Sequence, residues 1–245
     1  RVAVSSFLGN FIEWFDYASY SYFATTIALV FFPTDNHTVA MLQTFGVFAL
    51  SFILRPIGAL FWGSYGDKKG RKAALAHSIM FMSGASFLIG CLPSYSVIGV
   101  GAPILLLLLR MVQGFSASGE YAGAATFLGE YAPTSKRGIY CSLIPASTAI
   151  GLLAGSTLAT LMTANMNSSA MVGWGWRVPF LLAGPLGLIV LYIRTKLADS
   201  PVYQSMNDAL ESKGAASADG QIAAKSGMFV PLAELFHNHL KALII

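Results

Sequence analysis

The sequence predicts an all-α polytopic membrane protein of six spans, and three observations carry that prediction. Hydrophobic residues make up 55% of the chain and charged residues only 11%, where a soluble domain carries roughly a quarter of charged residues. The apolar residues fall into stretches at 4–32, 39–64, 73–92, 102–127, 139–163 and 175–195. Each is about 20 residues or longer, enough to cross a ~30 Å hydrocarbon core as a helix. The Lys and Arg residues between the stretches alternate by loop. Helices are the expected form because backbone in lipid must bond to itself, and no alternating strand pattern is present.

Taken in order, span one carries "GNFIEWFDY" in its middle, with Glu13 and Asp16 inside the apolar run. Span two runs into the basic loop with Lys68, Lys69, Arg71 and Lys72. Spans three and four are joined by "PSYSVIGVG", which has no Lys or Arg. Lys136 and Arg137 follow span four, and "NMNSSAMVGWG" after span five again has no basic residue. Arg194, Lys196, Lys213 and Lys225 follow span six. Basic loops stay cytoplasmic, so the amino terminus, both basic loops and the polar segment after span six are expected inside. The domain reading is a six-helix unit over 1–197, a central cytoplasmic loop over 198–238 and the start of a further helix at 239–245. The net charge of +4 thus reflects topology and does not point to nucleic acid.

Several function classes drop out. Cys91 and Cys141 fall at opposite membrane faces, too far apart for a disulfide. The four histidines show no metal-ligand spacing, so no metal is expected. No phosphate-cradling G-x-x-x-x-G-K-[ST] is present, and no nucleophile–base set suggests an enzyme. Trp174 and Trp176 fit an interfacial belt.

What remains is charge inside the membrane. Span one holds Glu13 and Asp16, span two Arg55, span four Arg110 and Glu120. Unpaired charges there cost at least about 2.5–3.5 kcal/mol each and usually face a cavity and a partner. At about 100° per residue, Asn10, Glu13, Tyr17 and Tyr20 share one stripe, with Asp16 on a neighbouring face. Arg110, Gln113 and Glu120 lie on one side of span four. A buried structural ion pair explains any one of these residues. A water-lined pathway better explains the set.

The first basic loop reads "GSYGDKKGRKAAL". Its glycines, Gly66 and Gly70, allow a tight reversal, and Asp67 can cap or pair with a neighbouring helix start. With Gly63, Asp67 and Arg71 it resembles the G-x-x-x-D-x-x-G-R-[KR] loop of the major facilitator superfamily. "RMVQGFSASGEY" and "GEYAPTSKRG" resemble that superfamily's fourth helix and the loop after it. "GNFIEWFDY", "LRPIGALFWGSYGDKKGRK" and "WGWRVPF" are similar to its metabolite:proton symporter branch, which includes osmoprotectant, α-ketoglutarate, shikimate and citrate carriers. "EYAP" with "KRG", and "SPVY" after span six, lean toward the osmoprotectant members.

The resemblance implies the six-helix amino-terminal half of a twelve-helix fold, a 3+3 inverted repeat, with the second six-helix half as partner. It implies a proton-coupled symporter in the cell inner membrane that imports a small polar metabolite, either a zwitterionic osmoprotectant such as proline or betaine or an organic acid. The energy source is the proton gradient and no cofactor is expected. A uniporter or exchanger without proton coupling is the alternative. A carboxylate facing a poorly hydrated cavity can load and release a proton, so Glu13, Asp16 and Glu120 are the proton-coupling candidates. Arg110 and Arg55 could hold a substrate carboxylate, with Tyr17, Tyr20, Gln113 and Tyr121 completing hydrogen bonds. Gly63, Gly66, Asp67, Gly70, Arg71, Glu130 and Arg137 are expected at a cytoplasmic gate.

Overall fold

The computed structural model describes residues 2–197 and 204–205, and every regular element among them is helical. The polar segment and the start of a further helix, expected at 198–238 and 239–245, lie outside the described residues apart from Gln204 and Ser205.

The first apolar stretch runs as α1 (Val2–Tyr22) and α2 (Ala24–Phe31) rather than as one helix. The joint at Phe23 keeps the backbone ladder, since the Phe23 N–H donates to the Ser19 carbonyl at 3.0 Å and the Ile27 N–H to the Phe23 carbonyl at 2.8 Å. The second stretch divides at Leu54 into α3 (His37–Ile53) and α4 (Arg55–Lys69). Pro56 opens the new helix, and its missing N–H explains the break. The Asn36 side chain caps α3, accepting from Thr38 N at 3.0 Å and Val39 N at 3.3 Å. Next come α5 (Arg71–Cys91), the single turn α6 (Tyr95–Ile98), α7 (Gly101–Tyr131) and α8 (Arg137–Asn165). After α9 (Ser168–Ala170), a wide turn over Met171–Gly175 leads into α10 (Arg177–Thr195).

Among the described residues, five helical stretches are long and apolar enough to cross a membrane: His37–Lys69, Arg71–Cys91, Gly101–Tyr131, Thr134–Asn165 and Ser168–Thr195. The helix α1, polar in its middle, is not among them.

Packing follows a crossed pattern. The helix α1 lies against α8, α7 lies against α3 and α4, and α5 lies against α10. The first span of each three-span set thus packs on the middle span of the other, as an inverted repeat requires. Small residues make the crossings close. A Cβ at Gly155 of α8 would stand 2.6 Å from the Ala18 Cβ on α1, and one at Gly114 of α7 would stand 1.9 Å from the Ser51 carbonyl on α3. Such spacing replaces the hydrophobic drive that lipid does not supply.

One large cluster of buried apolar residues joins Tyr20, Phe31, Trp176 and Phe180. Trp176 is fully buried, its ring edge-on to Phe31 at 5.3 Å. This corrects its assignment to an interfacial belt. Trp174, two residues earlier, is 57% exposed. The wide turn between them directs one ring outward and the other into the core, and span-level hydropathy cannot see that difference.

Candidate functional site

The charged residues inside the bundle form three arginine–carboxylate pairs, each spanning different helices. The first joins Arg110 of α7 to Asp16 of α1, Nη1 to Oδ2 at 2.7 Å. Gln113, one turn on, donates to the other Asp16 oxygen at 3.1 Å and to Ser86 Oγ on α5. The Arg110 guanidinium lies over the Tyr20 ring at 3.8 Å, close enough for a cation–π contact. The Tyr20 hydroxyl donates to the Thr44 carbonyl at 2.9 Å. Arg110 is 0% exposed and Gln113 2%.

The second pair joins Arg55, first residue of α4, to Glu13 of α1. The same guanidinium donates to the Tyr17 hydroxyl and lies 4.8 Å over the Phe52 ring. The Arg55 side chain keeps 27% exposure, while that of Glu13 keeps 1%. Arg55 is therefore the open edge of the acidic region. The other Glu13 oxygen, Oε2, has no hydrogen-bond partner among the described residues.

The third pair was not legible in the sequence. Arg194, assigned there to the loop after span six, is 2% exposed in the last turn of α10. Its guanidinium binds both carboxylate oxygens of Glu120 and the Leu75 carbonyl, and Nε donates to Ser5 Oγ at 3.2 Å. Ser78 Oγ donates to Glu120 at 3.2 Å. The node thus ties α1, α5, α7 and α10 together. This corrects the placement of Arg194 as a solvated, topology-setting charge. The physical reason is Glu120, a fully buried anion that needs a buried cation. The available signal was "LYIRT", an arginine still inside the apolar run.

The mixed-sign stripes expected to face one another as a single set are instead these separate pairs. In this arrangement Asp16, Arg110, Gln113, Tyr20 and Glu120 are all closed to solvent. Tyr121 is 44% exposed and makes no hydrogen bond among the described residues. Asn10 was on the expected polar stripe without an assigned role. Its amide donates to the Ile144 carbonyl at 3.0 Å and to Ser147 and Thr148 hydroxyls at 2.8 Å, pinning α1 to α8 beside Pro145.

At the basic end of the bundle, Arg71 Nη2 meets Asp67 at 3.0 Å and Arg71 Nε lies 3.9 Å from Glu130. Three of the four charged residues expected at the gate therefore meet. The fourth, Arg137, is exposed and makes no ion pair among the described residues. The reversal rests on Gly70, whose φ of 96° lies in the left-handed region that favours glycine. Gly66 lies inside α4 with no such angle, which corrects its role in the reversal. Gly66 is buried, and a Cβ there would touch Ala74 and Arg71 at 3.4–3.6 Å. Gly63 faces open space, with nothing within 4 Å of a Cβ.

The family model for the sugar (and other) transporters matches residues 2–238. The chain belongs to this family. Facilitators of this family are transporters rather than enzymes, and the chain is a multi-pass membrane protein. It is 40% identical over 245 residues to the glycine betaine/proline/ectoine/pipecolic acid transporter OusA of Dickeya dadantii, covering all of this chain and 48% of that protein. The proline/betaine transporter of Escherichia coli K12 is 42% identical over 211 residues, covering 86% of this chain and 42% of that one. The chain thus spans about half the length of the curated relatives it matches. The proton:xylose symporter XylE, bound to 6-bromo-6-deoxy-D-glucose, superposes with a TM-score of 0.75 at 18% identity, over 87% of this chain and 48% of that one. That likeness shows the facilitator fold. Within it, α1 and α7 open the two three-span sets, and all three buried carboxylates lie on them.

Proposed function

We propose that the whole protein is a proton-coupled symporter of the cell inner membrane, with its amino terminus and basic loops cytoplasmic, that imports a zwitterionic osmoprotectant such as proline or betaine. The observation that carries this reading is the Arg55–Glu13–Tyr17 cluster. Its cation reaches solvent while its carboxylate is buried with Oε2 unpartnered. An exposed guanidinium edge suits a substrate carboxylate. A substrate carboxylate that draws Arg55 away from Glu13 leaves the acid without its counter-charge, and a proton on Oε2 restores neutrality. Substrate and proton then travel together. Asp16 keeps Arg110 and Gln113 throughout and serves as the fixed anion. The proline/betaine transporters among the relatives support the zwitterion over a di-acid, and the half of the cavity beyond this chain supplies the group for the substrate's cationic end.

The test is uptake by the full-length protein in proteoliposomes under an inward proton gradient, with labelled proline, glycine betaine, α-ketoglutarate, citrate and shikimate. Gradient-dependent accumulation of proline or betaine is expected, and Glu13→Gln should abolish accumulation while leaving substrate exchange. Equilibration without accumulation refutes symport and leaves a uniporter or exchanger. Intact accumulation in both Glu13→Gln and Asp16→Asn ends the assignment of the proton to span one.

A further inference from the structure

The two spans that close the three-span sets, α5 and α10, leave an apolar groove of about 380 Å³ on their outer side. Met80 and Phe87 of α5 form one wall, and Pro185, Leu188 and Leu191 of α10 form the other. The floor exists because the helices touch at small residues. A Cβ at Gly187 would stand 2.1 Å from Ser83 Oγ, whereas one at Gly84 would meet nothing within 4 Å. The Ser83 hydroxyl already donates to the Ile79 carbonyl at 2.7 Å, so it has no proton left to give a polar guest.

Beyond the groove, a stripe that starts from two of its lining residues, Pro185 and Leu188, leads toward a cation. Pro185, Leu188, Ile189 and Tyr192 recur at helical spacing on one face of α10, and Lys196, the residue just past its end, continues that spacing. Leu188, Ile189 and Tyr192 are all more than half exposed. Lys196 is exposed and sits 5.8 Å over the Tyr192 ring. Lys72 at the start of α5 comes to the same place, its Nζ donating to the Thr195 carbonyl at 3.1 Å. A second hollow of about 370 Å³, lined by Val4, Tyr192, Ile193 and Lys196, lies at the same cation. An apolar slot at membrane depth, leading to cations at the basic end of the bundle, has the polarity of a phospholipid with an anionic headgroup. Cytoplasmic leaflets carry such lipids, and basic side chains near the surface attract them.

We propose that this face is a binding site for one anionic phospholipid, with an acyl chain in the α5–α10 groove and the headgroup phosphate on Lys196 beside Lys72. The site uses none of the residues of the three charge pairs, so it stands whether or not the symport assignment does.

The test is photo-crosslinking of the full-length protein in vesicles, with a diazirine on the acyl chain of either phosphatidylglycerol or phosphatidylcholine and mapping of the labelled peptides. The phosphatidylglycerol probe should label the groove walls about fivefold more than the phosphatidylcholine probe at equal mole fraction. Lys196→Gln should remove most of that preference. Gly84→Leu, which fills the slot, should cut labelling by both probes while labelling of other spans is unchanged. Equal labelling by the two probes, or a preference that survives Lys196→Gln together with Lys72→Gln, overturns the proposal. A groove labelled by neither probe also overturns it.

Discussion

Gly9→Ala is the sharpest single test of the Glu120–Arg194 node. Gly9 lies on α1 where that helix crosses the pair, and a Cβ there would stand 1.9 Å from a Glu120 oxygen and 2.2 Å from the Arg194 guanidinium. Real Cβ atoms do not approach below 3.0 Å, so the pair must retreat by about 1 Å or α1 must lift off. Neither partner has slack, because Arg194 is also held by Ser5 and the Leu75 carbonyl and Glu120 by Ser78. Separating a buried pair leaves charges uncompensated, at a cost of about 3–5 kcal/mol. The assay is reversible unfolding of the purified full-length protein in mixed micelles, compared with Gly46→Ala, where a Cβ meets nothing within 4 Å. Gly9→Ala should lose about 3 kcal/mol or more, and Gly46→Ala should be within about 1 kcal/mol of the parent. A Gly9→Ala protein as stable as the parent would show that α1 does not press on the pair and would refute the node as a packing lock.

Three further outcomes follow from the same geometry. Trp176→Ala should cost about 3–5 kcal/mol by the same unfolding measurement, and Trp174→Ala, at an exposed ring, should be near neutral; similar losses at both would contradict the buried position of Trp176. Asn10→Leu removes the amide that is shared among its α8 acceptors and should cost about 1–3 kcal/mol, with faster hydrogen exchange confined to the α1–α8 crossing; unchanged exchange there would count against the pin. Asp67→Asn should slow turnover more than it weakens substrate binding, since the Asp67–Arg71–Glu130 contacts are part-exposed and worth about 0–1 kcal/mol each, while Arg137→Gln, at a residue without an ion pair, should leave turnover within about twofold. Uptake and equilibrium binding on the same preparations separate the two, and equal loss of binding and turnover in Asp67→Asn would remove the gating role.

The loop where a gate is expected shows how far local sequence carries. The reversal after α4 needs a residue with positive φ, and only the glycine of the "KKGR" step supplies it. Its partner Gly66 has the same letter but sits one turn inside the helix, where its use is close contact. Composition cannot tell these uses apart, because they differ in backbone angle and not in residue type. Arg137 shows the same limit. It carries the expected charge in the expected loop, yet the Thr134–Lys136 turn leaves it facing water.

The sequence by itself determined the fold class, the apolar spans though not their division into helices, and which spans carry the buried acids. The causes are local: hydropathy sets span length, and the cost of charge in lipid marks Glu13, Asp16 and Glu120. Partner choice was decided only by tertiary structure. Asp16 meets Arg110 across 94 positions of chain, Glu120 meets Arg194 across 74, and Arg55 meets Glu13 across 42. No periodicity links residues that far apart. The glycines that bring α1 onto α8, α7 onto α3 and α5 onto α10 set which helix faces meet, and those faces decide which cation neutralises which acid.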